Sequence, residues 1–506
     1  MAGKAPRRKG KPLMEGYGPM RHAKACGALK GAFTILSVSL LLQGCAPVGP
    51  HYTPAQPKAP SQWHARDTGP WNAASTNPAV LAHWWDTLGD PLLSDLEKQA
   101  LEANPDLKAA VARVREARAV IGVQKAGLFP VLDASAERSQ RRTSGRGLSG
   151  RAVETDYYQT AFDAGWELDV FGGTRRGVEA AVADWQAASA ASDAVRVSLM
   201  AETALAYVEL RTYQERLAVT RRNIAVQEKT YALNVSRYGA GLIDELPVQQ
   251  ALYNLEHTRA AVSPLETGLE AAKNRLAVLT GKEPGSLEPV LAEPRPIPVV
   301  APHIAVGIPA EALRNRPDIR QAERELAAAT ARIGQATAEL YPRFRLFGTI
   351  GLESLSSGDL FEWASRLWAI GPAVRWRVFD AGQIRKNIEI RTAQQEQALR
   401  RYEAAVLRAL EEVENALVAF AKEQRRLEQL QKAVDAAQKA ERTAMDRYQA
   451  GLVDFTDVLD AQRTLQAFQD ELAQSRGAAT ATLVRLYKAL GGGWQTDLSA
   501  PPEGSP

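Results

Sequence analysis

At 104–132 the chain reads NPDLKAAVARVREARAVIGVQKAGLFPVL, and at 316–346 it reads RPDIRQAERELAAATARIGQATAELYPRFRL. Pro105 answers Pro317, and Pro130 answers Pro342. Farther on, RYGAGLIDELPVQQALYNL from Arg237 is matched by RYQAGLVDFTDVLDAQRTL from Arg447. Each copy runs in the same order: a helical stretch, two strand-like stretches, a very long helix, a Gly-containing turn and a returning helix. A repeat of about 210 residues settles the architecture before any single element does. It predicts a pseudo-twofold protomer with equivalent units at 91–281 and 310–491, joined by a Pro-rich linker at 282–309.

The long helices are the plainest elements. Val178 to Tyr238 holds neither Gly nor Pro for 61 residues, and Gln383 to Ala450 holds neither for 68. At 1.5 Å per residue such helices run about 90–100 Å, deeper than a globular core. Ala, Leu, Glu, Gln and Arg dominate, which favours helix, and helices this long need partner helices along their length. Pro264 predicts a kink or break in the first returning helix; the second has Gln474 there.

Between the short and long helices lie four strand candidates. In the second, Tyr158, Thr160, Phe162, Ala164, Trp166, Leu168 and Val170 alternate with Gln159, Ala161, Asp163, Gly165, Glu167 and Asp169. In the fourth, Trp368, Ile370, Pro372, Val374, Trp376 and Val378 alternate with Leu367, Ala369, Gly371, Ala373, Arg375 and Arg377. The third, around Phe344 to Leu352, and the first, around Leu132 to Ala136, carry weaker patterns. Period two with Trp near both ends matches a transmembrane barrel strand, lipid on one face and water on the other. Glu167, Asp169, Arg375 and Arg377 then face the lumen. A soluble half-buried sheet would alternate too, but its charged face opposes no evident apolar layer. Four strands cannot close a barrel, and open edges are not tolerated in lipid. Several copies must therefore share one barrel; three give twelve strands, and two or four also satisfy the count.

The ends and composition bound the rest. Lys4, Arg7, Arg8, Lys9 and Lys11 precede an apolar run from Ala32 to Leu42, then Gln43, Gly44 and Cys45. A charged region, a short apolar run and a small residue before the cut describe a signal peptide over 1–44; the run is too short to span a bilayer. An ordinary signal peptide with an incidental Cys is the alternative to a lipidation signal. Residues 45–90 read as an extended tether and 492–506 as a loose tail. Without 1–44 the chain has 54 Lys+Arg against 57 Asp+Glu, so the basic balance belongs to the leader and gives no sign of nucleic-acid binding. Cys45 is then the one cysteine, which leaves no disulfide, and no His/Cys spacing suits a metal. No GxSxG, Walker or HExxH motif occurs, so neither catalysis nor a cofactor is expected.

These pieces together resemble the outer membrane factors, the TolC-like exit ducts of tripartite pumps, and most closely the lipoprotein branch paired with resistance-nodulation-division transporters. The carriers are CAPVGPHY from Cys45, HWWDTLGDPLL from His83, NPDL and RPDI, LFP and LYP, WELDVFGG and WRVFDAG, and the twin RYGAGL and RYQAGL turns. The resemblance implies a homotrimer: a twelve-stranded outer-membrane β-barrel, four strands per chain, continued by a periplasmic α-helical barrel. It implies lipidation at Cys45, and Ala46 rather than Asp after it argues against inner-membrane retention. It implies outer-membrane lipid, a periplasmic adaptor and an inner-membrane transporter as partners. The adaptor is expected at the tips, on Gly241, Leu242, Gly451 and Leu452, glycines that also suit helix C-caps. Asp457 and Asp460, three apart on one helix face, are expected to ring the periplasmic aperture; Asp454 as a cap, with dipole-complementing acids behind it, is the plainer alternative. Pro247 and Gln250 stand at the equivalent places of the first copy. A type I secretion channel, or a coiled-coil adaptor or structural lipoprotein, would share parts of the pattern; the last would not need Trp-flanked alternating strands.

Overall fold

Each Gly- and Pro-free run is carried by a single helix of 67 residues, about 100 Å long. The computed structural model describes residues 46–55, 59–65, 71–72, 78–146, 150–298 and 304–495. The signal peptide and Cys45 lie outside the described residues. In chain order the elements are β1 (Trp71–Asn72), α1 (Pro78–Ala82), α2 (Pro91–Ala103), α3 (Pro105–Ala126), β2 (Val131–Arg142) and β3 (Glu154–Leu168). The first long helix α4 (Gly173–Gly239) follows, returned by α5 (Leu246–Ala260) and α6 (Val262–Leu279). The linker region carries α7 (Glu288–Leu291), β4 (Ile304–Ala305) and α8 (Pro309–Asn315). The second copy is α9 (Pro317–Ala338), β5 (Arg343–Ser354), β6 (Arg366–Arg375), α10 (Gln383–Gln449) and α11 (Phe455–Ala489).

The main helices and strands of the two copies follow the same order, and the returning helix departs from it. The first return breaks between Ala260 and Val262, whereas α11 is continuous for 35 residues. Pro264 has no N–H, and its ring clashes with the carbonyl four residues back; that residue is Ala260, where α5 ends. Starts are capped as their residues allow: Asp90 accepts from the Leu92 amide and Asn104 from the Leu107 amide, each followed by Pro.

At one end the strands form one antiparallel sheet in the order β2-β3-β5-β6. Its two faces follow the period-two pattern. Phe162, Trp166, Leu346, Ile350, Trp368, Ile370 and Val374 stand exposed on one side, Ile370 at 79 %. The strand bounds differ from the sequence reading. The second strand ends at Leu168, short of Asp169 and Val170, and the fourth at Arg375, short of Arg377 and Val378. No helix among the described residues is long and apolar enough to cross a membrane.

The main core sits along the helices, away from the sheet. Leu93, Leu96, Tyr207, Leu210, Leu276, Leu417, Phe420 and Val484 are buried there, and Trp84 stacks on Tyr487 at 5.5 Å. Toward the sheet, small residues let α4 and α9 approach: Ala183 is buried with Ala327 and Ala328.

Described parts of the tether and of the tail are docked on the helical body. Past Cys45, the buried Arg176 guanidinium donates to the carbonyls of Val48 (3.0 Å), Gly49 (3.4 Å) and Pro47 (3.5 Å). Tyr52 donates to Glu323 at 2.7 Å, and Trp63 is buried with its indole N–H on the Gly307 carbonyl. At the other end, Trp494 donates to the Asn315 carbonyl at 2.8 Å beneath the Arg320 guanidinium. The described parts of the tether and tail are held by aromatic anchors and backbone carbonyls, which leave no periodic trace. The linker also holds more order than its prolines suggest, since β4 pairs in parallel with β1.

Candidate functional site

The end of the molecule farthest from the sheet is built from two helix ends. Past α4, Gly241 takes φ +69°; past α10, Gly451 takes φ +72°. The Leu242 amide reaches back to the Arg237 carbonyl, and the Leu452 amide to that of Arg447, both at 2.9 Å. With the glycine amides on Tyr238 and Tyr448 carbonyls, both ends are Schellman caps, which need a left-handed residue where Gly stands. The cap turns the chain so that Leu242 and Leu452 point into solvent, 68 % and 74 % exposed. Two leucines held outward on rigid turns form a matched apolar pair.

The tips are locked to each other by residues the sequence reading did not single out. Arg237 donates to the Tyr448 carbonyl at 3.0 Å, with its guanidinium 4.6 Å from the Tyr448 ring centre. The Tyr448 hydroxyl donates to Asn234 Oδ1 at 2.9 Å, and the Asn234 amide donates to the Pro247 carbonyl at 3.1 Å. Burial pushes the Tyr448 phenol pKa up, with Arg237 opposing. Phe455, Val458, Leu459 and Ala251 fill the space beneath. The signal was present in the twin Arg-Tyr pairs at 237–238 and 447–448, but which Tyr turns inward depends on the packing. Tyr448 is 4 % exposed and Tyr238 is 48 %.

Asp457 and Asp460 lie in the first turns of α11, both exposed, while Val458 and Leu459 turn inward. Among the described residues neither carboxylate enters an ion pair. Asp454 occupies the cap position, yet its side chain accepts no capping hydrogen bond. The Asp pair therefore stands free on the outer surface of the chain, beside the locked tips.

At the sheet end, the face opposite the exposed hydrophobics is polar. Asp163 accepts from Thr349 at 2.7 Å and from Ser135 at 3.2 Å. Glu167 stands opposite Arg345 in the β3–β5 register and 3.8 Å from Arg343. Glu167, Arg343, Arg345, Arg375 and Arg377 line one cavity with Tyr341. Glu167 and Arg375 are thus brought together, and Arg377 joins them from just beyond the strand. Asp169 is set apart: it accepts from the Thr174 and Arg175 amides (3.0 and 2.9 Å) and pairs with the Arg175 side chain. It starts α4, much as Asp380 accepts from Gly382 and Ile384 at the start of α10; those amides hold the Asp380 carboxyl below the usual range. Arg343 and Arg345 were missed because they alternate in the weakly patterned third strand.

No group of three or more His, Cys, Asp or Glu among the described residues is placed to hold a metal ion. The chain offers a long helical wall, a sheet with one apolar and one polar face, and a tip carrying acids and exposed leucines.

The family model described as outer membrane efflux protein matches residues 96–282 and 308–492. Outer membrane protein OprJ of Pseudomonas aeruginosa is 31% identical, the match covering 92% of this chain and 97% of OprJ. Probable outer membrane lipoprotein SilC of Salmonella typhimurium is 29% identical over 91% of this chain and 98% of SilC. The solved outer-membrane channel OprN is 36% identical and superposes with a TM-score of 0.84 over 89% of this chain and 100% of that one.

Proposed function

The chain belongs to the outer membrane efflux protein family, and on that premise we propose that it is the outer-membrane exit duct of a tripartite efflux pump. It conducts small molecules passively and is a channel rather than an enzyme. One observation carries the reading: an open four-stranded sheet, apolar outside and charged inside, continues into two helices of 67 residues. Such a sheet is stable in lipid only when other copies complete it. Three copies supply twelve strands, a wet barrel in the outer membrane and a helical tube extending into the periplasm.

The sites follow from this frame. Glu167, Arg375 and Arg377 line the barrel lumen; Asp169, committed to the start of α4, borders it. Asp457 and Asp460 of three copies ring the periplasmic aperture with six carboxylates, which favour cations and repel one another as the opening narrows. Gly241, Leu242, Gly451 and Leu452 seat a periplasmic membrane-fusion adaptor, the leucines as anchors. The adaptor in turn connects to an inner-membrane resistance-nodulation-division transporter. Cys45 carries the lipid, which adds about 0.8 kcal/mol per buried methylene to an attachment the barrel already provides. Palmitate should therefore label the wild type and not Cys45→Ser.

The test is expression in a strain lacking its own exit duct, together with planar-bilayer recording of the purified protein. Heat-labile trimers, single-channel currents and restored resistance to efflux substrates are expected. A detergent-free monomer without channel activity would overturn the reading, and restored protein secretion without resistance would move it to type I export.

A further inference from the structure

The duplication can be read from the pairing of the sheet itself. β3 leads to the α4 cap at Gly172 and β6 to the α10 cap at Gly382, so β3 residues correspond to β6 residues 210 later. β2 follows Pro130 and β5 follows Pro342, an offset of 212. The two hairpins obey these offsets. Val131 opposite Gly165 corresponds to Arg343 opposite Arg375, and Arg138 opposite Tyr158 to Ile350 opposite Trp368. Inside the chain the copies meet where β3 pairs with β5, with Gly165 opposite Phe347 and Glu167 opposite Arg345. β2 and β6 are the edges.

Applying the same offsets to this junction gives the seam between chains, which rests on the several-copy duct proposed above. We infer that β6 of one copy pairs antiparallel with β2 of the next in a single register, with Arg375 opposite the partner's Ser135 and Arg377 opposite the partner's Asp133.

Three observations agree with that register. First, the charges fit. Glu167 opposite Arg345 inside the chain becomes Arg377 opposite the partner's Asp133, the same acid-opposite-base placement with its signs exchanged. Arg375 directly opposes Arg343 across its own hairpin, a like-charge pair that is unfavourable. In the seam the partner's Asp133 and Glu137 lie diagonal to it, within reach of a long side chain. Second, the faces fit. Val374 and Trp376 fall opposite the partner's Ala136 and Ala134, so outer faces stay continuous; a slip of one residue would turn Arg375 and Arg377 to lipid. Third, the strand end is accounted for. Period two runs on to Val378, yet β6 stops at Arg375. The corresponding end of β3, Trp166 to Leu168, is paired only by β5, because β2 starts opposite Gly165. In β6 the same stretch has the next copy as its one possible partner.

Paired cysteines test the register. Directly opposed antiparallel residues have Cα atoms roughly 4.5–5.5 Å apart, within disulfide range. Ser135→Cys/Arg375→Cys and Ala136→Cys/Val374→Cys are neighbouring in-register pairs and sample both kinds of ladder site. At least one should convert most of the protein to covalent dimers and trimers on non-reducing gels. Each single substitution, and the slipped pairs Ser135→Cys/Ala373→Cys and Ser135→Cys/Arg377→Cys, should give little. Slipped pairs that cross-link as well as the in-register pairs overturn the register. So does a set in which no pair cross-links although the multimer persists. A wild-type chain that is monomeric in detergent removes the duct reading, and this seam with it. As an independent reading, Arg377→Asp should lower the temperature at which multimers dissociate, and adding Asp133→Arg should restore it.

Discussion

Arg176→Met should detach the segment that follows Cys45 from the helical body. Met keeps much of the stem and removes the guanidinium, which is 2 % exposed. The Val48 carbonyl loses a charge-assisted bond of 3.0 Å, about 1.5–3 kcal/mol. The contacts to Gly49 and Pro47, 3.4 and 3.5 Å long, add less than about 1 kcal/mol between them. The pair with Glu179 is half-exposed on the acid side and contributes little. Docking should weaken by about 3 kcal/mol, roughly a hundredfold in the docked-to-released ratio. Hydrogen exchange reads this directly, because the Val48 amide donates to the Phe171 carbonyl. Its exchange should speed up by about that factor while α4 stays protected. Lys386, the equivalent in the second copy, has an exposed side chain paired with Glu389, so Lys386→Met should change nothing at Val48. Gly334→Ala approaches the contact from the other side: an added Cβ would lie 2.8 Å from the Val48 carbonyl oxygen. Its counterpart Gly122 has open space, and Ala there should stabilise by about 0.5–1 kcal/mol. Unchanged Val48 exchange in Arg176→Met would show that the segment is held by something else.

The remaining predictions concern the barrel, the tip and the core. Val374→Lys should cost about 2–4 kcal/mol of barrel stability if the site lies near the bilayer midplane, whereas Arg375→Gln should chiefly change conductance; equal effects on heat-resistant assembly would reverse the two faces. Asp457→Asn with Asp460→Asn should weaken cation preference and block by multivalent cations in planar bilayers, and unchanged block would make both acids simple helix-start residues. Glu97 is fully buried with neither oxygen hydrogen-bonded among the described residues, and burial raises its pKa well above 4.5. A raised acid favours the fold below about 4.5 and loses that contribution as pH climbs through the folded value. Glu97→Gln should therefore melt higher than wild type at pH 8 and nearly together with it at pH 4, and parallel pH curves would count against a buried neutral acid.

How much of this was legible depends on what positions each residue. The long helices were, because absence of Gly and Pro over sixty residues is local information. The tip caps were, because a left-handed C′ residue selects Gly whatever lies around it. The break in the first return was readable from Pro264 for the same reason. Residues whose place is set by distant partners were not. Arg176 looks like any basic residue early in a helix, and only the folded groove beside Gly334 turns it toward the Val48 carbonyl. Asp169 continued the strand alternation on paper, but two helix-start amides recruit its carboxylate. Tyr238 and Tyr448 are the same letter in the same motif, and packing alone buries one of them.

The duplication ties these cases together. Equivalent residues diverge wherever one copy meets its twin inside the chain and the other meets the edge. Arg237 finds Tyr448 across the internal tip contact, whereas Arg447 and Tyr238 lie exposed on the far sides. The end of β3 is paired by β5, and the end of β6 has no such neighbour within the chain. Edge positions that keep the twin's residue chemistry without the twin's contacts are the natural places for the next copy. Sequence shows that such positions exist; it takes the register of the internal junction to say which residue should meet which.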